Sequence, residues 1–188
     1  MAAAIAALKP QLKVPFGVNY LWDPVASVAL GVATGAGFVR EIFTGLYASD
    51  MGTWAPRCRE ALKLRAGLGR PDLKLLFNVN AEFATSLDTR RVEVRAKSAV
   101  FSSLADVICV SGPMTGEGVD SSELARVKDL VAVPVFANTG VRIDTVEEIL
   151  KVADGCVIGT HLKIDGNTWN PVDRSRVERF MDKVRSLR

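Results

Sequence analysis

Short apolar, β-branched runs alternate with longer amphipathic stretches along the whole chain. VPFGVNYLW precedes DPVASVALGVATG, GFVREIF precedes WAPRCREALKLRAGLG, and LKLLFNV precedes RRVEVRAKSAVFSSL. DVICVSG precedes SSELARVKDLV, VPVFANTG precedes DTVEEILKVA, and GCVIGTH precedes DRSRVERFMDKVRSL. The pattern predicts six strands, each followed by a helix. Such alternation implies a parallel sheet with helices packed against it. Continuous apolar residues such as Val107, Ile108, Cys109 and Val110 suit a strand covered on both faces. The opening segment MAAAIAALKPQLK predicts a helix running into the first strand.

Capping chemistry supports several helix starts. Asp23 stands before Pro24, Thr145 and Glu148 have capping-box spacing, and Ser121 or Ser122 can cap the helix that holds Glu123.

A closed (β/α)8 barrel takes about 250 residues at roughly 30 per βα unit. This chain has 188 residues. The expected fold is therefore α/β of the (β/α)8 TIM-barrel type, incomplete here: strands three to eight, preceded by a helix, with residues 1–188 as one domain. A doubly wound sheet is the competing arrangement. It calls for a glycine-rich dinucleotide turn after the first strand, and NYLWDP is not such a turn.

Composition removes several function classes. Lys and Arg total 24 against 21 for Asp and Glu, with the basic residues scattered, so a nucleic-acid partner is not expected. The most apolar stretch, 25–39, is broken by Ser27, Thr34 and glycines and is shorter than the ~20 residues that span a bilayer. No membrane-spanning segment is expected. The start lacks the basic region and small-residue cleavage site of a signal peptide, which predicts a cytoplasmic location. Cys58, Cys109 and Cys156 are far apart and accompanied by one histidine, so reduced structural thiols are expected, with no metal and no cofactor.

Barrel sites are built at the carboxyl ends of the strands. Those ends hold Asn19; Arg40, Glu41, Thr44 and Gly45; Asn78 and Asn80; Ser111 and Gly112; Asn138, Thr139 and Gly140; and Gly159, Thr160 and Lys163. ANTGV and IGTHLK follow the last two strands, where glycine lets backbone N–H groups approach an anion and where barrel phosphate sites recur. A small phosphorylated molecule is the expected partner. Asn19, Asn80, Ser111, Gly112, Asn138, Thr139, Gly140, Gly159, Thr160 and Lys163 are its candidate ligands.

Candidate catalytic residues are Glu41 and His161. Arg40 and Glu41 are adjacent on a strand, so one enters the barrel and the other meets the helix layer. Asp50 or Glu82 can supply a partner carboxylate. The loops SGPMTGEGVD and FTGLYASDMG are expected to be mobile flaps, and KIDGNTWNPVD a structured connection with Trp169 as a packing anchor.

PFGVNYLWDP, FTGLYASDMG, ICVSGPMTGE, FANTGV and VADGCVIGTHLKIDGNTWNPVD together resemble the BtpA/SgcQ family across essentially the whole chain. The resemblance implies a (β/α)8 barrel of the ribulose-phosphate-binding kind. It also implies that members carry further N-terminal residues, including the first two strands. Many members have an Asp and a Lys-His pair after barrel strand five, where FNVNAEFATSL here has Asn78, Asn80 and Glu82.

Some members are linked to assembly or stability of photosystem I in cyanobacteria, and others sit among sugar-metabolism genes. Two functional expectations follow: binding or conversion of a small phosphorylated metabolite, or a non-enzymatic role in photosystem I assembly. A barrel lacking two strands has two unpaired edges, so a homo-oligomer is a further expectation.

Overall fold

The computed structural model describes residues 1–187. The chain opens with α1 (Ala2–Leu8), followed by β1 (Gly17–Val18), α2 (Pro24–Thr34) and β2 (Phe38–Glu41). A hairpin of β3 (Tyr47–Ser49) and β4 (Gly52–Trp54) precedes α3 (Cys58–Gly67) and β5 (Lys74–Asn78). Next come β6 (Thr85–Ser86), α4 (Val92–Ser103), β7 (Val107–Ser111), α5 (Ser121–Leu130) and β8 (Val135–Asn138). The chain finishes with α6 (Val146–Leu150), β9 (Gly155–Val157) and α7 (Arg174–Ser186).

Six strands form one sheet in the order β1-β2-β5-β7-β8-β9, with every neighbouring pair parallel. Alternation along the strands sorts their side chains onto two faces. Val39, Leu75, Phe77, Ile108, Val110, Val135 and Ala137 are fully buried and belong to the core that includes Val28, Ala61, Ala96, Leu124, Val127 and Phe180 from the helices. Phe38, Arg40, Leu76 and Phe136 take the opposite face and line a cavity of about 400 Å³ together with Val18, Asn19 and Val157.

One cavity bounded by residues of β1, β2, β5, β8 and β9 requires the sheet to curl. The fold is an incomplete (β/α) barrel, with β1 and β9 at its two edges. The expected fold class and strand direction therefore hold.

Local chemistry explains the helix starts only in part. The Asp23 carboxylate accepts from Val25 N and Ala26 N, with Pro24 at the first helical position, as expected. The expected serine cap of α5 is replaced by Asp120, whose carboxylate accepts from Ser122 N and Glu123 N. A carboxylate is the better acceptor there because it also offsets the helix dipole. Thr145 does not cap α6 with its side chain; its hydroxyl engages the Arg142 backbone.

FTGLYASDMG carries regular structure: β3 pairs antiparallel with both β4 and β6, forming a small second sheet. One further expectation is corrected. Trp169 is 92% exposed and so anchors no packing. Its segment is held instead by backbone bonds and by the bridge between Lys163 and Val172.

Candidate functional site

The sheet's alternation delivers polar side chains to the inward face at its C-terminal end. Arg40 leaves β2 inward and reaches the end of β8, where its NH1 donates to Asn138 Oδ1 at 2.5 Å. Asn138 is fully buried. Its Nδ2 donates to Ser111 Oγ on β7 (2.7 Å) and to Glu82 Oε1 (3.0 Å). Thr115 Oγ1 donates to the other Glu82 oxygen at 3.0 Å. Asn80 exchanges two hydrogen bonds with the Ser111 backbone, at 2.7 and 2.8 Å. Strands β2, β7 and β8, the segment after β5 and the loop after β7 thus meet in one connected polar network at the mouth. Asn78 shares the inward face with Leu76, and its buried Oδ1 has no partner.

Glu41 follows Arg40 and faces the other way, as adjacent strand residues must. It is 2% exposed. Its oxygens accept from Ile42 N (2.8 Å), Asn19 Nδ2 (2.6 Å) and the Trp22 backbone. Burial nevertheless dominates these bonds and the Arg40 charge, raising its pKa from 4.5 to about 7. Asn19 Nδ2 also donates to the Arg40 carbonyl, so it clips the β1–α2 connection onto β2. Trp22, in that connection, has a left-handed φ of 68° and stacks on Trp54 and Phe83 with ring centroids 5.3 and 5.4 Å away.

The turns after β8 and β9 meet at a cavity of about 460 Å³. Gly140, Arg142, Gly159, Thr160, His161 and Arg176 are among its lining residues, with Asp144 and Asp165 also on the wall. Arg176 is steered there by its Nε, which donates to the His161 carbonyl at 2.6 Å. Burial and the neighbouring Arg176 charge lower the His161 pKa below 6.5, favouring the neutral imidazole at neutral pH.

Gly140 has φ +66°, and a Cβ there would lie 2.1 Å from the Glu117 carbonyl carbon. Its glycine character therefore seats the 112–118 loop. A Cβ on Gly159 would meet nothing within 4 Å, so this turn is open toward the cavity.

The candidates from sequence thus divide between two places. Asn19, Asn80, Ser111 and Asn138 belong to the polar contacts at the strand ends, whereas Gly140, Gly159, Thr160 and His161 line the cavity. Thr139 joins neither directly; its hydroxyl accepts from Gly116 N at 2.9 Å. Gly112 lies under the same loop, where a Cβ would be 2.2 Å from Glu117 O. Lys163 follows the tight turn Thr160–Leu162 and is not among the cavity-lining residues.

Arg142 and Arg176 are cavity residues absent from the sequence-derived set. One is two positions beyond Gly140, and the other lies in the first turn of α7. Among the described residues, no group of three or more His, Cys, Asp and Glu side chains gathers as metal ligands. No helix among them is long and apolar enough to cross a membrane.

The BtpA family model matches residues 1–186. The chain belongs to the BtpA family. Within that family, it is 48% identical over 189 residues to the sgc region protein SgcQ of Escherichia coli strain K12, covering 100% of this chain and 70% of SgcQ. It is 28% identical over 187 residues to the photosystem I biogenesis protein BtpA of Synechocystis, covering 98% of this chain and 65% of that protein.

Solved structures similar to this BtpA-family fold include N-(5'-phosphoribosyl)anthranilate isomerase from Pyrococcus furiosus, with TM-score 0.65 and 15% identity over 99% of this chain and 81% of that one. Another is (S)-3-O-geranylgeranylglyceryl phosphate synthase from Thermoplasma acidophilum, solved with sn-glycerol-1-phosphate. Its TM-score is 0.60 and its identity 17%, over 100% of this chain and 75% of that one. These structural likenesses speak for the fold.

Proposed function

We propose that this chain binds a small phosphorylated metabolite at the barrel mouth, with the phosphoryl group in the cavity between the β8 and β9 turns. The carrying observation is the convergence of Arg142, Arg176, Thr160, His161 and the open Gly159 turn on one cavity of about 460 Å³. Guanidinium groups supply fixed positive charge and a planar set of donors suited to phosphate oxygens. The names of the two structural neighbours place phosphorylated compounds in related barrels, which supports the same reading.

The Arg40–Asn138–Glu82 network lies across the 112–118 loop from this cavity: Thr115 holds Glu82, while Gly116 lines the cavity wall. In this reading the network receives the remainder of the ligand. His161 touches the phosphoryl end as a neutral hydrogen-bonding group. Glu41 acts through Asn19 as a positioning residue, holding the loop that carries Trp22.

Thermal melts against sugar phosphates, nucleotides and inorganic phosphate test the proposal. A ligand at one hundred times its Kd adds about 2.7 kcal/mol of stability. Gly159→Leu should remove that gain by filling the cavity without a backbone clash. Retention of the full gain in this variant would place the ligand elsewhere. The photosystem I assembly reading is supported by the 28% identical Synechocystis relative. It predicts no response to the panel and capture of photosystem components by a surface that tolerates Gly159→Leu.

A further inference from the structure

Away from both the barrel-mouth cavity and the polar network, Arg95 on α4 presents an unusual balance of charge. Its Nε and NH1 are buried and have no hydrogen-bond partner. Buried polar groups are nearly always paired, and a guanidinium cannot escape its charge by losing a proton. Asp88 and Glu123 are both near enough to feel the Arg95 charge, but Glu123 is not on the wall of the cavity beside Arg95, and the Asp88 carboxylate is already held in a two-pronged pair by Arg90, with bonds of 2.6 to 3.0 Å. Among the described residues, no carboxylate forms an ion pair with Arg95.

Arg95 borders a cavity of about 220 Å³. Arg90, Ser98, Ser103, Thr44 and the Tyr47 ring share its wall. Arg95, Ser98 and Ser103 lie on one side of α4 by helical spacing, facing the connection between β2 and β3. The two arginines outnumber Asp88, leaving a net positive pocket with hydroxyl donors and room for one tetrahedral anion.

We propose that this cavity is a second oxyanion site, with Arg95 as its principal ligand and Ser98 as a supporting hydroxyl. It takes a small oxyanion of the phosphate or sulfate class, either free or as the terminal phosphoryl group of a small ester. Occupancy ties α4 to Thr44 and Gly45, at the foot of the β3–β4 hairpin. The inference is independent of the mouth cavity, with which it shares no lining residue.

The test titrates the full chain with sodium phosphate, with sulfate and with glycerol 3-phosphate, each against chloride at matched ionic strength. Thermal midpoint and calorimetric binding are read together. Gly159→Leu should lose the part of the phosphate response that belongs to the mouth cavity and keep the part that belongs to this second site. Arg95→Gln should weaken that component by about tenfold or more, as expected for loss of charged hydrogen bonds. Read in Gly159→Leu, binding of free anions but not the ester assigns an inorganic ligand to this site; binding of the ester as well assigns a phosphoryl arm.

Ser98→Glu provides the second variant. Its carboxylate should occupy the pocket, raise the midpoint in phosphate-free buffer and abolish the Arg95-dependent response. The proposal is overturned if phosphate and sulfate produce no response in the wild type up to roughly 10 mM, where even a weak site fills. An undiminished response in Arg95→Gln also overturns it. So does a response lost in Gly159→Leu but retained in Ser98→Glu. If Arg95→Gln does not fold, the Ser98→Glu result decides.

Discussion

Arg40 and Asn138 are 98 residues apart in the chain and 2.5 Å apart at the barrel mouth. Two strands, β5 and β7, separate β2 from β8 in the sheet. At about 4.8 Å per strand, a flat sheet would hold their backbones some 14 Å apart, so the curl brings these side chains together. Asn138 also holds Ser111 and Glu82, making it the joint through which the mouth residues share one geometry.

Asn138→Ala should therefore cost more than one lost contact. It leaves Arg40, Ser111 and Glu82 each short of a partner, and a loss of about 1–3 kcal/mol is expected. Urea unfolding measures it. A midpoint indistinguishable from wild type would show that solvent replaces the amide at no cost.

Glu41 should impose a pH dependence on folding. Its folded pKa is raised from 4.5 to about 7, so the native state holds a proton that the unfolded chain releases between those values. Its stabilising contribution is full below about pH 4.5 and is lost as pH rises through 7, by on the order of 3 kcal/mol. Unfolding free energies for wild type and Glu41→Gln should show this difference in slope. Parallel pH profiles would contradict it. Gln has one carbonyl acceptor in place of two oxygens, so a constant offset between the curves is expected as well.

His161 is the single histidine of the chain, so its NMR signal reports the cavity directly. In the free protein it should titrate below 6.5, because burial and Arg176 disfavour the imidazolium. Binding of a phosphoryl dianion should move the midpoint upward by placing negative charge nearby. A titration curve unchanged by a saturating phosphorylated ligand would exclude His161 from contact.

Gly140 and Gly159 should respond differently to alanine. At Gly140 the added Cβ meets the Glu117 backbone and φ is left-handed, so a loss of about 1–3 kcal/mol is expected. Gly159→Ala should leave stability within about 0.5 kcal/mol, since nothing lies within 4 Å of its Cβ. Equal thermal midpoints for the two variants would refute the contrast.

The six strands were legible because apolar runs and capping residues recur at regular intervals. The opposite orientations of Arg40 and Glu41 also followed from strand alternation. The β3–β4–β6 sheet was not legible, since Thr85 and Ser86 form only a two-residue polar strand without an apolar stripe. Candidate residues on strand ends could be named, but their division between network and cavity depends on loop paths. Arg176 was hidden for a similar reason. In sequence it is one of several arginines in an amphipathic helix, and only the return of α7 over the His161 carbonyl directs it inward.

The three tryptophans divide the chain's optical signal between two environments. Trp22 and Trp54 are stacked at an interplanar angle of 18°, whereas Trp169 is 92% exposed. The stacked pair can couple its electronic transitions and give a near-ultraviolet dichroism signal tied to the mouth. Trp169 contributes emission open to aqueous quenchers. Changes at the mouth therefore have a spectroscopic signature distinguishable from the surface background without an introduced label.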